Sequence, residues 1–185
     1  MLSISEIKIS KLIQINNEPY QVLKADHHKM GRGGAVLKTK LRNLITGHIL
    51  DKTWQGNDKA NKAITETKQA NFMYQDGKEA HFMDNQSFEQ FSLPVEQINE
   101  KLKFLPAGIE VDILYFQDKP VAVNLPVKVE LKVVSAPPGV KGNSAGNVTK
   151  VVELETGAQL TTPMFINKGD VIRINTNTGE YVERV

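Results

Sequence analysis

One arginine in this sequence lies where a large ligand could reach both its side chain and the backbone beside it. Arg32 is enclosed by glycines, which tolerate positive φ and leave the neighbouring amides uncovered. Its guanidinium is a planar donor suited to phosphate oxygens, and the span from His27 to Leu50 contains no Asp or Glu. The segment predicts a nucleic-acid contact, and the alternative is an ordinary glycine-rich hairpin with a solvated arginine. The tip loop around Arg32 consists of Lys29, Met30, Gly31, Gly33 and Gly34.

The residues that follow the tip loop must position it, and their pattern is that of a strand. From Ala35 to Asn43 apolar and polar residues alternate, which is the spacing of a half-buried strand. Together with Gln21–Asp26 leading outward, this strand predicts a hairpin. Its outer face would hold a polyanion by its phosphates, contacts that position a protein without reading sequence. The side chains predicted to share that face are Lys38, Lys40 and Arg42, opposite Leu37, Thr39 and Leu41 on the core side.

Other residue types that carry chemistry occur without the spacing that a site requires. There is no cysteine, and the motifs Gly-x-Ser-x-Gly and Gly-x-x-x-x-Gly-Lys-Ser/Thr are absent. His27 and His28 are adjacent and would point to opposite faces of a strand, and no ligand cluster of familiar spacing surrounds them. We therefore predict no catalytic residue, no metal site and no cofactor.

Four aromatic residues could stack on nucleic-acid bases. All four lie within segments that look like strands, where burial in a core is the more typical outcome. Core packing is accordingly the prediction for Trp54, Phe72, Phe82 and Phe88.

Length and composition place limits on the kind of protein. The 185 residues carry a formal net charge of only +2, so a nucleic-acid surface must be local. No apolar run approaches the roughly 18 residues of a membrane span, and the first residues lack the charged and apolar regions of a secretory signal. We expect a cytoplasmic protein that does not contact a membrane.

The order of strand and turn signals predicts three mostly β modules of about sixty residues each, the length of a small barrel with a marginal core. A polar stretch over residues 55–62 is interpreted as a loop, and the helical period over residues 94–105 predicts one helix in the second module. Asp76-Gly77 predicts a hairpin turn. The modules are assigned to residues 1–64, 65–126 and 127–185, and we expect the first two to pack together.

Several short motifs, in order along the whole chain, resemble the bacterial elongation factor P family, relatives of the archaeal and eukaryotic initiation factor five A. They begin with Lys29-x-Gly31-Arg32-Gly33 and with Lys40-Leu41-Arg42-Asn43-Leu44-x-Thr46-Gly47. Further matches are Phe82-Met83-Asp84, Phe88-Glu89-Gln90, Pro138-Gly139-Val140-Lys141-Gly142, Thr156-Gly157-Ala158 with Pro163, and Thr178-Gly179-Glu180-Tyr181 with Arg184.

The resemblance implies an all-β fold of three small β-barrels in an L shape. The first barrel would be SH3-like (KOW-type) and the other two would be OB folds. It also implies a monomer that binds the 70S ribosome between the P and E sites, with contacts to rRNA, P-site peptidyl-tRNA and the E-site mRNA codon. Such a factor promotes peptide bonds at polyproline stalls by positioning peptidyl-tRNA, and it is not an enzyme.

The resemblance also suggests roles for individual residues. Arg32 would reach the acceptor end of the peptidyl-tRNA. It occupies a position that relatives modify, which leaves rhamnosylation by a modifying enzyme, another group, or an unmodified arginine open. The loop near the small subunit and E-site codon would comprise Gly142, Asn143, Ser144 and Gly146, with Asn143 and Ser144 in place of the more usual Asp and Thr. Tyr181 and Arg184 are candidates for RNA contact.

Three alternatives remain at this level. One is a paralogue of the family with a different stall preference, and another is an RNA-binding protein that acts independently of the ribosome. The third is an enzyme with an unrecognised site, which would require a pocket lined by perturbed acids or bases.

Overall fold

The structure is a computed structural model of the 185-residue chain, and it describes residues 1–30, 34–138 and 149–185. Most of these residues lie in strands, which form three sheets, and the described ranges contain one α-helix. The all-β fold class with a short helix in the second module is therefore confirmed.

The first sheet contains six strands in the order β1-β6-β2-β3-β4-β5. Residues 55–62 were expected to form a loop, but the second half of this stretch is a strand that pairs with β1 and β2. Only Ala60 of that strand is buried, so its side chains give little sign of strand structure. The strands are β1 (Leu2–Ser3), β2 (Leu12–Ile15), β3 (Glu18–Met30), β4 (Gly34–Asn43), β5 (Ile49–Gln55) and β6 (Lys59–Lys62).

The second sheet has the order β11-β10-β7-β8-β9. The predicted turn at Asp76-Gly77 is present between its first two strands. The carboxylate of Asp76 accepts the N–H groups of Lys78 and Glu79, and Gly77 takes the positive φ of 90° that glycine permits. The elements are β7 (Thr65–Gln75), β8 (Glu79–Asp84), β9 (Gln90–Pro94), α1 (Val95–Leu102), β10 (Glu110–Phe116) and β11 (Lys119–Asn124).

The third sheet repeats the topology of the second. Its order, β14-β13-β12-β15-β16, again places the first strand between the second and fourth strands. In both sheets the first strand carries a β-bulge, which bends the strand. The strands are β12 (Lys128–Ser135), β13 (Thr149–Leu154), β14 (Gln159–Pro163), β15 (Val171–Asn175) and β16 (Glu180–Arg184).

The chain divides into two compact units, one made of residues 1–68 and 113–122 and the other of residues 69–112 and 123–185. In the first unit, Leu114, Phe116 and Val121 of the second sheet pack with Ala63, and Leu12 and Leu44 of the first module lie against them. The expected packing of the first two modules is thus confirmed. In the second unit, a core built from β12–β15 also takes up Phe104, just beyond α1.

The helix is shorter than predicted. The helical period suggested residues 94–105, but α1 spans Val95–Leu102. Pro94 is extended, with φ −58° and ψ 133°, and it belongs to β9. At the other end, the N–H groups of Phe104 and Leu105 reach back only three residues, as in a tightened final turn.

The prediction that Phe88 packs in a core is wrong, because 71% of this residue is exposed. The carboxylate of Asp84 accepts the N–H groups of Gln86 and Ser87, which builds a turn directly after β8. Phe88 completes that turn with φ 59°, and its ring faces solvent. The other three aromatic predictions are confirmed, since Trp54, Phe72 and Phe82 are buried.

Candidate nucleic-acid interface

The β3–β4 hairpin has the geometry that the sequence predicted. Its ladder runs from Tyr20 opposite Asn43 to Met30 opposite Gly34. On β4 the predicted alternation holds: the core side is buried, and the other side is exposed. The exposed residues are Lys38, Lys40 and Arg42, and the buried ones are Leu37, Thr39 and Leu41.

A fourth cation that the sequence did not single out joins this surface. Lys24 of β3 lies directly opposite Lys40 in the ladder, and paired residues in an antiparallel sheet project to the same face. We call Lys24, Lys38, Lys40 and Arg42 the basic face. Its four positive charges lie on two neighbouring strands, an arrangement that suits a phosphate backbone.

Two carboxylates flank the basic face. Asp26 lies opposite Lys38 and Asp51 lies opposite Lys40, so the strand register brings acids beside a span that contains none. The Lys24 ammonium is 2.7 Å from the Asp26 carboxylate. This hydrogen bond lowers the pKa of Asp26 and raises the pKa of Lys24. The surface is therefore less positive than the sequence of β4 alone suggests.

On the core side of β4, the strand that carries Lys38, Lys40 and Arg42, two hydrogen bonds link this strand to β5. The indole Nε1 of Trp54 donates to the hydroxyl of Thr39 at 3.0 Å, and that hydroxyl donates to the carbonyl of Lys52 at 2.9 Å. The Lys52 ammonium lies 4.8 Å from the centre of the Trp54 ring. The two hydrogen bonds of Thr39 join β4 to β5 on the core side and stabilise the register of the exposed lysines.

The described residues of the predicted tip loop lie at the far end of the hairpin. Lys29 pairs with Ala35 and Met30 with Gly34, so the backbone of the two strands continues to the edge of the described residues. Gly31, Arg32 and Gly33 lie outside the described residues. The assigned role of Arg32 therefore stays a prediction.

The candidate residues of the third module have two outcomes. Gly142, Asn143, Ser144 and Gly146 fall within residues 139–148, outside the described ranges. Tyr181 is partly buried against the core of its sheet. Arg184 contacts Asp170 at 3.7 Å and lies 5.7 Å from the ring of Phe165, and half of its side chain remains exposed. Tyr181 and Arg184 thus already make contacts within the module.

Charge is distributed unevenly between the modules. Residues 1–64 contain 11 Lys/Arg and 5 Asp/Glu, whereas residues 65–126 contain 5 Lys/Arg and 10 Asp/Glu. The overall charge of +2 conceals this separation. The excess of positive charge, which is what attracts a polyanion, is therefore concentrated in the first module.

Two further features of the described residues bear on function. In residues 1–30, 34–138 and 149–185, no three His, Cys, Asp or Glu side chains are grouped as metal ligands would be. Over the same ranges, no helix is long and apolar enough to cross a membrane.

The comparisons with known proteins cover the whole chain. Three family models match in succession, described as "Elongation factor P (EF-P) KOW-like domain" over residues 3–60, "Elongation factor P (EF-P) OB domain" over residues 65–123 and "Elongation factor P, C-terminal" over residues 129–184. Among solved structures, the translation initiation factor 5A of Methanococcus jannaschii is similar in fold, with a TM-score of 0.52 and 18% identity over 66% of this chain and 92% of that one.

Curated relatives are similar over their full lengths. The elongation factor P of Desulfotalea psychrophila is 40% identical over 100% of this chain and 99% of its own length. The elongation factor P of Alkaliphilus oremlandii is 42% identical, with 100% of both chains covered. Because the three family models follow one another along nearly the entire chain, and these relatives match it from end to end, the chain belongs to the elongation factor P family.

Proposed function

We propose that this protein is a translation elongation factor that binds the ribosome between the P and E sites and promotes peptide bond formation at polyproline stalls. The observation that carries the proposal is the basic face at the base of the tip hairpin, in a chain whose family membership extends over its full length. Phosphate contacts from this face would anchor the first module on rRNA and the P-site peptidyl-tRNA.

The proposed mechanism is positioning. Proline is a poor substrate because its nitrogen lies in a ring and its backbone is stiff. The hairpin directs Arg32 toward the acceptor end of the peptidyl-tRNA, and holding that end in a reactive geometry lowers the barrier without a catalytic group from the protein. In this proposal the factor is not an enzyme and needs no cofactor. Arg32 acts either unmodified or after modification by a separate enzyme.

The remaining contacts are proposed from the family. The loop with Gly142, Asn143, Ser144 and Gly146 meets the small subunit and the E-site codon, and Tyr181 and Arg184 lie in the same module. The protein works in the cytoplasm as a monomer. The acidic second module, with 10 Asp/Glu against 5 Lys/Arg, weighs against an RNA-binding protein that uses all of its barrel surfaces.

The test is reconstituted translation of a Pro-Pro-Pro reporter beside a proline-free control, with wild-type protein and Arg32→Ala. The variant should slow the proline reporter severely and the control little. Ribosome affinity should fall less than the rate, because the basic face remains, and stability should change by less than about 0.5 kcal/mol, as at an exposed position. Rescue equal to that of wild type would show that Arg32 is not the functional element.

The same measurements separate the alternatives. A paralogue with another stall preference would bind ribosomes and accelerate a different stalling sequence. An RNA-binding protein independent of the ribosome would prefer free RNA and leave both reporters unchanged. Intact-mass measurement of protein from its native host decides whether Arg32 carries a modification.

A further inference from the structure

The tip hairpin loses the support of its third strand shortly before the tip. The β4–β5 ladder ends where Val36 lies opposite Gln55, whereas the β3–β4 ladder continues to Met30 opposite Gly34. Beyond Val36 the hairpin is therefore paired by β3 and β4 alone in this sheet. A two-stranded ribbon is only marginally stable by itself in water, so its direction depends on what fixes its base.

The turn that follows β5 makes one further contact with β4, nearer to the tip than the end of the β4–β5 ladder. The N–H of Gly56 donates to the carbonyl of Ala35 at 3.1 Å, one residue beyond the end of the β4–β5 ladder. Gly56 has a φ of 57°, a conformation that glycine adopts without strain. This hydrogen bond therefore fixes β4 at Ala35, the residue next to Gly34 of the tip loop.

Asp58 stabilises this turn through two hydrogen bonds to Gln55, one made by its side chain and one by its backbone. Its Oδ2 accepts the N–H of Gln55 at 2.9 Å, and its own N–H donates to the carbonyl of Gln55 at 3.0 Å. Asp58 is exposed, and it carries the wrong charge for a phosphate contact. Its structural contribution is therefore to orient residues 55–58, which we call the brace.

The far side of the brace is anchored in the first sheet. β6 begins at Lys59, immediately after Asp58, and its Ala60 is buried in the first core. Lys59 pairs with Ser3 of β1, and Lys62 pairs with Ile13 of β2. The brace thus connects the base of the tip hairpin to strands on the other side of β3 and β4 in the sheet order.

We propose that Asp58 is a positioning residue: by shaping the brace, it sets the direction of the β3–β4 hairpin at its described end, where Met30 lies opposite Gly34. This inference rests on the function proposed above. A displacement of about 1 Å at a positioned reactive group can change a rate by up to about a hundredfold. Disturbing the brace should therefore slow the tip-dependent reaction while the basic face still binds.

The experiment compares wild type, Asp58→Ala and Asp58→Asn, with Arg32→Ala measured in parallel. Both Asp58 variants lose the same charge, but only asparagine keeps an oxygen that can accept the Gln55 N–H. Three quantities are measured: amide hydrogen exchange at Gln55 and Gly56 in the free protein, ribosome affinity, and the rate of Pro-Pro bond formation at saturating factor.

Asp58→Ala should speed exchange at Gln55 and Gly56 by about tenfold and slow Pro-Pro bond formation by about tenfold, while affinity stays within about twofold of wild type. Asp58→Asn should remain close to wild type in all three quantities. A loss in Asp58→Asn equal to that in Asp58→Ala would assign the effect to charge, and unchanged exchange in Asp58→Ala would remove the structural basis. Either result overturns the proposal.

The parallel variant separates this proposal from the function on which it rests. If Arg32→Ala slows Pro-Pro bond formation and Asp58→Ala does not, the proposed role of the brace is overturned, but the proposed function is not. A normal rate with Arg32→Ala overturns the proposed function, and with it the role given to Asp58.

Discussion

Asp51 of β5 lies directly opposite Lys40 of β4, so the middle of the basic face carries its own counter-charge. Asp51→Asn removes that charge with almost no change in shape. Binding to ribosomes should tighten by about twofold to fivefold at low salt, the range for an exposed charge pair, and the gain should shrink as salt rises. Asp118→Asn makes the same charge change in the turn between β10 and β11 and should leave affinity unchanged. Equal effects from the two variants would contradict a local role for Asp51.

Reversing charge on β4 should have the opposite effect. Lys40→Glu with Arg42→Glu should weaken ribosome binding and leave the fold intact, because both side chains are exposed. Each phosphate contact that is lost should lower the slope of log affinity against log salt by roughly 0.7–0.9. Lys59→Glu with Lys62→Glu repeats the change on exposed positions of β6 and serves as the control. Unchanged affinity in the β4 variant at physiological salt would exclude this face as the binding surface.

Two phenylalanines of the second module should respond differently to truncation. Phe82 is fully buried, with ring centres 5.4 Å from Phe72 and 5.6 Å from Phe91. Phe82→Ala should cost about 3–5 kcal/mol of unfolding free energy, as a large core truncation does. Phe88→Ala should change it by less than about 0.5 kcal/mol. Urea unfolding followed by circular dichroism gives both values, and similar costs would contradict the exposed position of Phe88.

The Thr39 hydroxyl should contribute to stability through its two hydrogen bonds, one buried and one partly buried. Thr39→Val keeps the shape but leaves the Trp54 indole N–H and the Lys52 carbonyl without this partner, which should cost about 1–3 kcal/mol. Thr39→Ser retains the hydroxyl and should cost less. Urea unfolding of the two variants under identical conditions provides the comparison. A valine variant as stable as wild type would show that the Thr39 hydroxyl contributes nothing through these two hydrogen bonds.

Asp76 should make the β7–β8 hairpin sensitive to acid. The backbone N–H groups of Glu79 and Lys78, and then the ring of His81, lower the pKa of Asp76 from 3.8 to about 2. Because the pKa of Asp76 is lower in the folded state than its ordinary value of 3.8, the ionised carboxylate stabilises the folded state at pH values above 3.8. This contribution is lost as the pH falls from 3.8 toward 2. The protection of the Lys78 and Glu79 amides from exchange, measured relative to their intrinsic exchange rates at each pH, should therefore fall over that window. In Asp76→Asn, the protection of these two amides should not change over that window, because asparagine does not titrate there. A variant whose protection falls as it does in the wild type would contradict this assignment.

The buried face of a strand could be predicted where apolar and polar residues alternate, because the apolar side chains are the ones that face the core. The alternation from Ala35 to Asn43 predicted the buried face of β4. β6 could not be predicted in this way: its strand structure comes from ladder partners more than fifty residues earlier in β1 and forty-five or more earlier in β2. Phe88 was misplaced because a turn built by the Asp84 carboxylate, not its own hydrophobicity, decides its exposure.

The candidate site was predictable to a similar degree. Three of the four cations of the basic face followed from the period of β4, but Lys24 and the flanking carboxylates depend on strand register, which includes a bulge between Val22 and Lys24. A bulge shifts pairing by one residue, and nothing in the local composition indicated it. Arg32 and the loop with Asn143 and Ser144 lie outside the described residues, and their roles remain predictions.

The sole tryptophan of the chain lies opposite Leu37 of β4, where its indole N–H donates to Thr39 and the Lys52 ammonium lies over its ring. Its ultraviolet emission therefore arises from one known place in the molecule. A change in that emission as urea is added to the free protein would report on unfolding of the first module without any attached label, and its time course would give the rate of unfolding. Trp54 is thus an intrinsic fluorescent probe beside the β3–β4 hairpin, the element whose position matters most for the proposed function.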